Sequence, residues 1–198
     1  MMLVELTDIP SQDLPIAAFR DHLRLPTGFG DDSLQDGVLE ASLRAAIAAI
    51  EARTGKVLFQ RDFRWSLTAW RTTRQQALPV APVQALTGLK MLSRAGEETV
   101  IDADRVRLVR DAQRPMLCAS GAMLPGIPSG GSVEVSFSAG YGAGWDDLPA
   151  DLRQAVFLLA ARYYELRHDE PMGGGAMPFG VTALIERYRT IRVLGSAR

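Results

Sequence analysis

The residues best placed to do chemistry in this chain are glycines that follow a short alternating run. Ser132-Val133-Glu134-Val135-Ser136-Phe137-Ser138 leads into Ala139-Gly140-Tyr141-Gly142-Ala143-Gly144. A glycine loop between a strand and a helix N-terminus can hold a phosphate, because bare amides and the helix dipole both face the anion. Used that way, the Gly140–Gly144 loop would make the protein a small enzyme or ligand-binding domain. The spacing argues against it. Read from Gly140, the pattern G-x-G-x-x-G requires glycine where Trp145 stands; read from Gly142, it requires one at Asp147. Asp146 and Asp147 would also set two carboxylates against the phosphate. A structural turn explains the same residues better: Asp147 is expected to cap the next helix, Pro149 to fill its first turn, and Asp151 to complement its dipole.

Other chemistry is sparse. Ser136 and Ser138 lie outside any G-x-S-x-G, with no histidine near in sequence to act as base. Glu97-Glu98 and the pair Asp102 and Asp104 read as solvated turn charges rather than an acid–base pair. Cys118 is the sole cysteine, and His22 and His168 are the only histidines, so neither an intramolecular disulfide nor a zinc or iron site is expected. A carboxylate-only Mg²⁺ or Ca²⁺ site stays open. No catalytic residue, cofactor or metal is assigned. The 198 residues are 47% hydrophobic and 23% charged, enough for one sizeable core or two small ones, and the net charge of −1 does not suit a protein built to grip nucleic acid. Lys56 and Lys90 are the only lysines; arginine, which supplies the other basic residues, favours ion pairs at protein interfaces. Arg187, Arg189 and Arg192 are therefore expected to pair with carboxylates such as Glu165, Asp169 or a neighbour's, in preference to DNA phosphates. The start, Met1 to Pro10, lacks the pattern of an export signal, and no run of apolar residues is long enough to span a membrane.

The elements that would position these residues fall into helix, strand and helix blocks. Asp13 and Pro15 open a helix from Ile16 to Leu25, with Phe19 and Leu23 on one side, ended by Pro26-Thr27-Gly28. Asp31, Asp32 and Ser33 open a longer one in which Leu34, Val38, Ala41, Leu43, Ala45, Ile47 and Ile50 recur, closed by Thr54-Gly55. Strands follow. Phe63, Trp65 and Leu67 alternate with Arg64, Ser66 and Thr68, and Pro79-Val80-Ala81-Pro82 reads as an extended edge segment. Leu86–Leu92 and Thr99–Ile101 form a hairpin about Ala95-Gly96-Glu97; Val106–Val109 and Met116–Cys118 form another about Asp111-Ala112-Gln113. This is an antiparallel β-unit between helices rather than a βαβ succession. The next helix, Ala150–His168, has one apolar stripe of Leu152, Val156, Leu159, Tyr163 and Leu166, and a second apolar side of Phe157, Leu158, Ala161 and Tyr164. Either its own chain wraps it, or the second side meets another subunit. Three glycines, 173 to 175, precede a last helix over Phe179–Leu194.

The order of these features resembles the phage head–tail connector family, the adaptors beneath the portal of long-tailed phages, in its variant with a β-insert. The pieces are Leu23-Arg24-Leu25, Glu51-Ala52-Arg53-Thr54-Gly55, Leu78-Pro79-Val80-Ala81-Pro82-Val83, Val135-Ser136-Phe137-Ser138-Ala139-Gly140-Tyr141-Gly142, Leu148-Pro149-Ala150-Asp151-Leu152-Arg153-Gln154-Ala155, Tyr163-Tyr164-Glu165-Leu166-Arg167, and Pro178-Phe179-Gly180-Val181 leading to Tyr188-Arg189. The chain is similar above all to adaptors of prophage-derived gene transfer agents. The resemblance implies an α+β fold, a helical bundle of two N-terminal and two C-terminal helices with an inserted small antiparallel β-unit. It implies one connector domain over 1–198, helical at 13–55 and 148–195, with the β-unit at 56–145. It further implies a homo-oligomeric ring of twelve copies, joining the portal protein to a stopper or tail-terminator protein. DNA would pass through without sequence-specific binding. The place is the neck of a virion or phage-like particle assembled in the bacterial cytoplasm, with no membrane, cofactor or active site. Portal docking would fall to Val181, Leu184, Ile185, Tyr188, Arg189 and Arg192, and the subunit interface to Phe157, Leu158, Ala161 and Tyr164. Arg187 stands where relatives commonly carry proline, and the triglycine is unusual, which leaves the path of the last helix open.

Overall fold

Alternation along Phe63, Trp65 and Leu67 does put those three side chains on one buried side of a strand. A computed structural model describes residues 1–25, 32–166 and 177–189, without the side chains of 32–34. The chain forms two units, one of Met1–Ile9 with Val57–Ala143 and one of Pro10–Lys56 with Gly144–Arg198. The β-unit holds β1 (Met2–Glu5), β2 (Arg61–Leu67), β3 (Gln75–Ala77), β4 (Val83–Leu92), β5 (Glu98–Val100), β6 (Val106–Val109), β7 (Met116–Ala119) and β8 (Ser132–Ala139). A five-stranded sheet runs β1-β2-β8-β4-β5 and a three-stranded one β3-β7-β6, with antiparallel neighbours throughout. Both expected hairpins form. β1 and β3 were not expected: three or four residues carry too little alternation to register as strands. Pro79–Pro82 serves as the link from β3 to β4.

β8 is the centre of this unit. It pairs on both sides, and Val133, Val135, Phe137 and Ala139 are wholly buried. Phe137 lies opposite Phe63, the rings stacked with centroids 5.7 Å apart, and Val135 lies opposite both Trp65 and Leu89. Truncating a buried ring such as Phe137 to alanine costs about 3–5 kcal/mol.

Immediately after β8 the backbone must pass very close to residues 58–60. Tyr141 N donates to Leu58 O at 3.0 Å and Gln60 N to Gly142 O at 2.8 Å. Gly140 takes φ +138°, and a Cβ there would stand 2.4 Å from Gln60 Cα. Only glycine fits this crossing.

The helical unit holds α1 (Ile16–His22), α2 (Asp32–Thr54), α3 (Ala150–Glu165) and α4 (Phe179–Ile185). α2 packs along α3, and α4 against α3. The fold class is therefore the expected α+β, four helices with antiparallel sheets. Details depart from expectation. α1 stops at His22, with Arg24 at φ +53°, short of the expected Leu25. The buried stripe of α2 is Leu39, Leu43, Ala46, Ile47 and Ile50, whereas Val38, Ala41 and Ala45 are exposed, because three- and four-residue steps from Leu39 define a single face and those three positions lie off it. Thr54 and Gly55 end α2 as expected: Thr54 Oγ1 donates to Ile50 O at 2.8 Å and accepts from Lys56 N at 3.2 Å, with Gly55 at φ +69°. Asp147 is not the cap of α3. It closes a one-turn 3₁₀ helix, Trp145–Asp147, by accepting from Gly144 N at 2.9 Å, and Pro149 takes the position before α3.

Gly140→Ala should cost at least about 2–4 kcal/mol, from backbone strain and a clash with main chain that cannot swing aside. Gly96→Ala, at φ +85° but in open space, should cost only about 1 kcal/mol. Urea denaturation of the two variants checks this, and equal midpoints would contradict it.

Candidate functional site

The surface with most to offer a partner is built on α3. Its Leu152, Ala155, Val156, Leu159 and Ala160 are buried and form the inward stripe. Tyr163 and Leu166, expected to continue that stripe, are exposed instead, at 38% and 43%. Of the expected interface residues, Leu158 is exposed, and Phe157, Ala161 and Tyr164 are half-buried. Phe157 has company within its own unit. Its ring lies 5.5 Å from Phe19, 5.3 Å from His22 and 4.9 Å from Trp145, the last pair stacked within 20°. A shallow cleft lined by Trp145, Ala150, Arg153, Gln154 and Phe157 opens beside that stack. Arg153 pairs with Asp146 at its rim, at 2.7 Å.

The expected docking residues divide. Val181, Ile185 and Tyr188 are buried, Leu184 is half-buried and Arg189 is exposed, while Arg192 lies outside the described residues. Of the last helix expected over Phe179–Leu194, the part from 190 on lies outside the described residues, and the rest is not continuous. α4 stops at Ile185, one 3₁₀ turn follows over Glu186–Tyr188, and Arg189 is extended at ψ 132°. The cause is Asp151. Tyr188 Oη donates to Asp151 Oδ1 at 2.6 Å, Arg187 Nε approaches Asp151 Oδ2 at 2.8 Å, and the Arg187 guanidinium lies 4.7 Å from the centre of the Tyr188 ring. The carboxylate thus draws in two neighbouring side chains and ends the helix. Sequence reasoning missed this because it treated Asp151 only as a charge at a helix start. It also missed Phe179, first residue of α4 and 87% exposed, whose only signal was an aromatic placed off the apolar stripe.

The glycine loop offers no phosphate cradle. Gly140 N donates to Pro82 O at 2.9 Å, Tyr141 N to Leu58 O and Gly144 N to the Asp147 carboxylate. Those amides are spent on the protein's own acceptors. Among the described residues no group of three His, Cys, Asp or Glu is placed to hold a metal ion, and no helix is long and apolar enough to cross a membrane. Cys118 is buried on β7, and His22 lies against the Phe19 and Phe157 rings.

Burial, and then the hydrogen bond to Asp151, raise the Tyr188 phenol above its ordinary value of 10.0. The folded state thus holds this proton more tightly than the unfolded chain. The contribution is complete below pH 10 and is lost as pH rises through the folded value, since the unfolded phenol ionises first. Tyr188→Phe should remove that alkaline loss and, at neutral pH, cost about 1.5–3 kcal/mol, the worth of a hydrogen bond to a carboxylate. Denaturation midpoints of both proteins between pH 8 and about 11 check it; parallel curves would show that the bond contributes nothing.

No family model and no curated protein matches the chain. Solved structures do. It is similar to a chain in the neck of an empty gene transfer agent particle computed with C6 symmetry, with 59% identity over 100% of both chains and a TM-score of 0.91. A chain of the virion of a native gene transfer agent particle matches at 60% identity over 98% of each, with a TM-score of 0.87. A third, from the neck of a native particle computed with C12 symmetry, matches at 56% identity over 100% of both, with a TM-score of 0.86. With such identity along the whole length, and the same arrangement of helices around a β-insert, the chain belongs to the neck proteins of gene transfer agent particles, the head–tail connectors that its sequence already resembled.

Proposed function

We propose that this structural neck component forms a closed ring, of twelve copies by the symmetry of its relative's neck, between the portal and a stopper or tail-terminator protein, around the path of the DNA. The observation that carries this is the full-length match, at 56–60% identity, to chains of particle necks. The physical chemistry agrees with it. A head-to-tail ring needs two different complementary surfaces on each subunit, and α3 keeps Leu158, Tyr163 and Leu166 exposed after its own unit has packed. Leu158 is exposed and Phe157, Ala161 and Tyr164 are half-buried, and what these four leave accessible would meet the neighbouring copy. Val181, Ile185 and Tyr188 hold α4 in place, so portal docking would fall to what they leave accessible, Leu184 and Arg189, together with Arg192, which lies outside the described residues. With a net charge of −1, the chain has no general attraction that would retard DNA sliding past. In this role it needs no active site.

Leu158→Asp should weaken ring assembly about 30-fold, the effect of losing a central interface contact, without lowering the thermal stability of the monomer. Sedimentation of mixtures with purified portal, before and after the substitution, measures this. Leu184→Ser with Arg189→Glu should weaken portal binding about 10-fold or more. Undiminished co-sedimentation of that double variant would remove α4 from the docking surface. Imaging of particles with the neck resolved tests the ring itself; a neck lacking this chain, or holding a single copy of it, would end the proposal.

A further inference from the structure

β5 covers β4 only in part. Glu98–Val100 pair with Lys90–Leu92, and one further bond, Ile101 N to Leu89 O at 2.9 Å, extends the ladder. From Gln84 to Gly88, among the described residues, no strand lies on the side of β4 away from β8. The register of β4 against β8 shifts twice in this stretch, at Val83/Ala85 and at Leu86/Gly88. Such bulges bend a strand, and the chain after β5 does not follow the bend. Where residues 86–89 and 100–103 part, a gap of about 300 Å³ opens. Its floor is apolar and buried, formed by Leu89, Val106, Leu117 and Val135. Its mouth meets solvent, since Thr87, Gly88, Asp102 and Ala103 are exposed and Val100 leaves 71% of its surface uncovered. Asp102 is the one charged residue on this lining, and no side chain among the described residues pairs with its carboxylate. In the 3₁₀ turn that follows it, Asp104 adds a negative charge and Arg105 cancels one, so the mouth stays negative.

We propose that this gap in the β-unit is a docking site for an extended segment of a partner protein, one that carries an apolar side chain next to an arginine or lysine. The site lies wholly within one unit and does not depend on closure of a ring. Three features select that chemistry. The outer backbone of Thr87 and Gly88 is not taken by another strand, so it can pair with an incoming main chain, as in recognition by strand addition. The buried floor accepts an aliphatic side chain, in a volume at the lower end of those that hold ligands. The Asp102 carboxylate at the mouth asks for a cation, to which it would offer a charge-assisted hydrogen bond. Strand geometry joins the last two requirements. Neighbouring side chains of a strand point to opposite sides, so when the apolar residue enters the gap the basic one beside it stays outside, where Asp102 stands. Protection of the sheet edge would be served by the bulges and a charge alone. It does not call for an apolar gap left open behind them.

Two experiments on the full chain test the site. The first titrates it with a blocked peptide, acetyl-Thr-Val-Leu-Arg-Thr-Val-amide, while the backbone amide signals are followed by NMR. Saturable shifts centred on Thr87, Gly88 and Ile101 are expected. Replacing the peptide's leucine by aspartate should weaken binding at least about 10-fold, the loss of one buried side chain. Asp102→Lys in the protein should weaken it about 5- to 10-fold, and more at low salt than at high. Because Asp102 is exposed, its replacement should leave the melting temperature of the protein unchanged. Absence of saturable shifts, or binding indifferent to both replacements, would overturn the site. The second experiment identifies the occupant in intact particles, with a photoactivatable side chain in place of Ala103. Coupling to another protein of the particle is expected, at an extended segment in which an apolar residue adjoins a basic one. Coupling to a second copy of this chain would overturn the choice of partner. Coupling to no protein at all would show the gap to be part of a protected edge and end the proposal.

Discussion

α3 is the helix on which the helical unit is built: α2 and α4 both pack against it, and the unit's arrangement follows from its buried stripe. The inward stripe, Leu152 to Ala160, is met by α2, whose Leu39, Leu43, Ala46, Ile47 and Ile50 are all within 2% of complete burial. Burial of such side chains contributes about 1.5–3 kcal/mol each, so this seam dominates the unit's stability. α1 brings Phe19, wholly buried, to one flank through the Phe157 ring, and α4 brings Val181 and Ile185 to another. After all three neighbours have packed, Leu158, Tyr163 and Leu166 still face water.

The β-unit obeys a different constraint, the fit of backbone to backbone. β8 is paired on both edges and buried along its apolar side, so it fixes the register of β2 and β4 together. Its continuation must then cross residues 58–60 at a distance that admits no side chain, and Gly140 meets that need. The glycines that invite a phosphate-loop interpretation are thus explained by sterics and by turn geometry. Amides that donate to Leu58, to Pro82 and to Asp147 cannot also solvate an anion.

Long periodic elements were legible in the sequence and local competitions were not. The cores of α2 and α3, the strand at Phe63–Leu67, β8 and both hairpins follow from periodicity and turn residues alone. β1 and β3 escaped because short strands owe their existence to a partner's edge: Met2–Glu5 becomes a strand only by lying against Glu-free β2 positions Phe63–Ser66. The end of α4 escaped for a similar reason. Nothing in Glu186-Arg187-Tyr188 forbids another helical turn; a carboxylate 37 positions earlier in the chain ends it by binding the tyrosine hydroxyl. The second apolar side of α3 was recognisable in the sequence, yet only the packed structure shows Phe157 against the Phe19, His22 and Trp145 rings of its own unit while Leu158 keeps 36% of its surface exposed. The exposure of Phe179 was not legible, because an aromatic placed off the apolar stripe can equally be covered by a distant part of the chain.

Separate small patches suit a ring component better than one large apolar face. A contiguous face would bind any similar surface and draw free copies into aggregates before a particle was ready. Small separate patches would each contribute too little to hold two free copies together for long. Once a portal holds several copies side by side, every contact becomes effectively intramolecular, and the local concentration raises weak pairings into a stable closed structure. Closure adds a further restraint, since removing one subunit from a complete ring requires breaking two such contacts at once. On the proposed reading, side chains that are inconsequential on a lone copy would become the seams of the ring, and assembly would be confined to the place where a template stands.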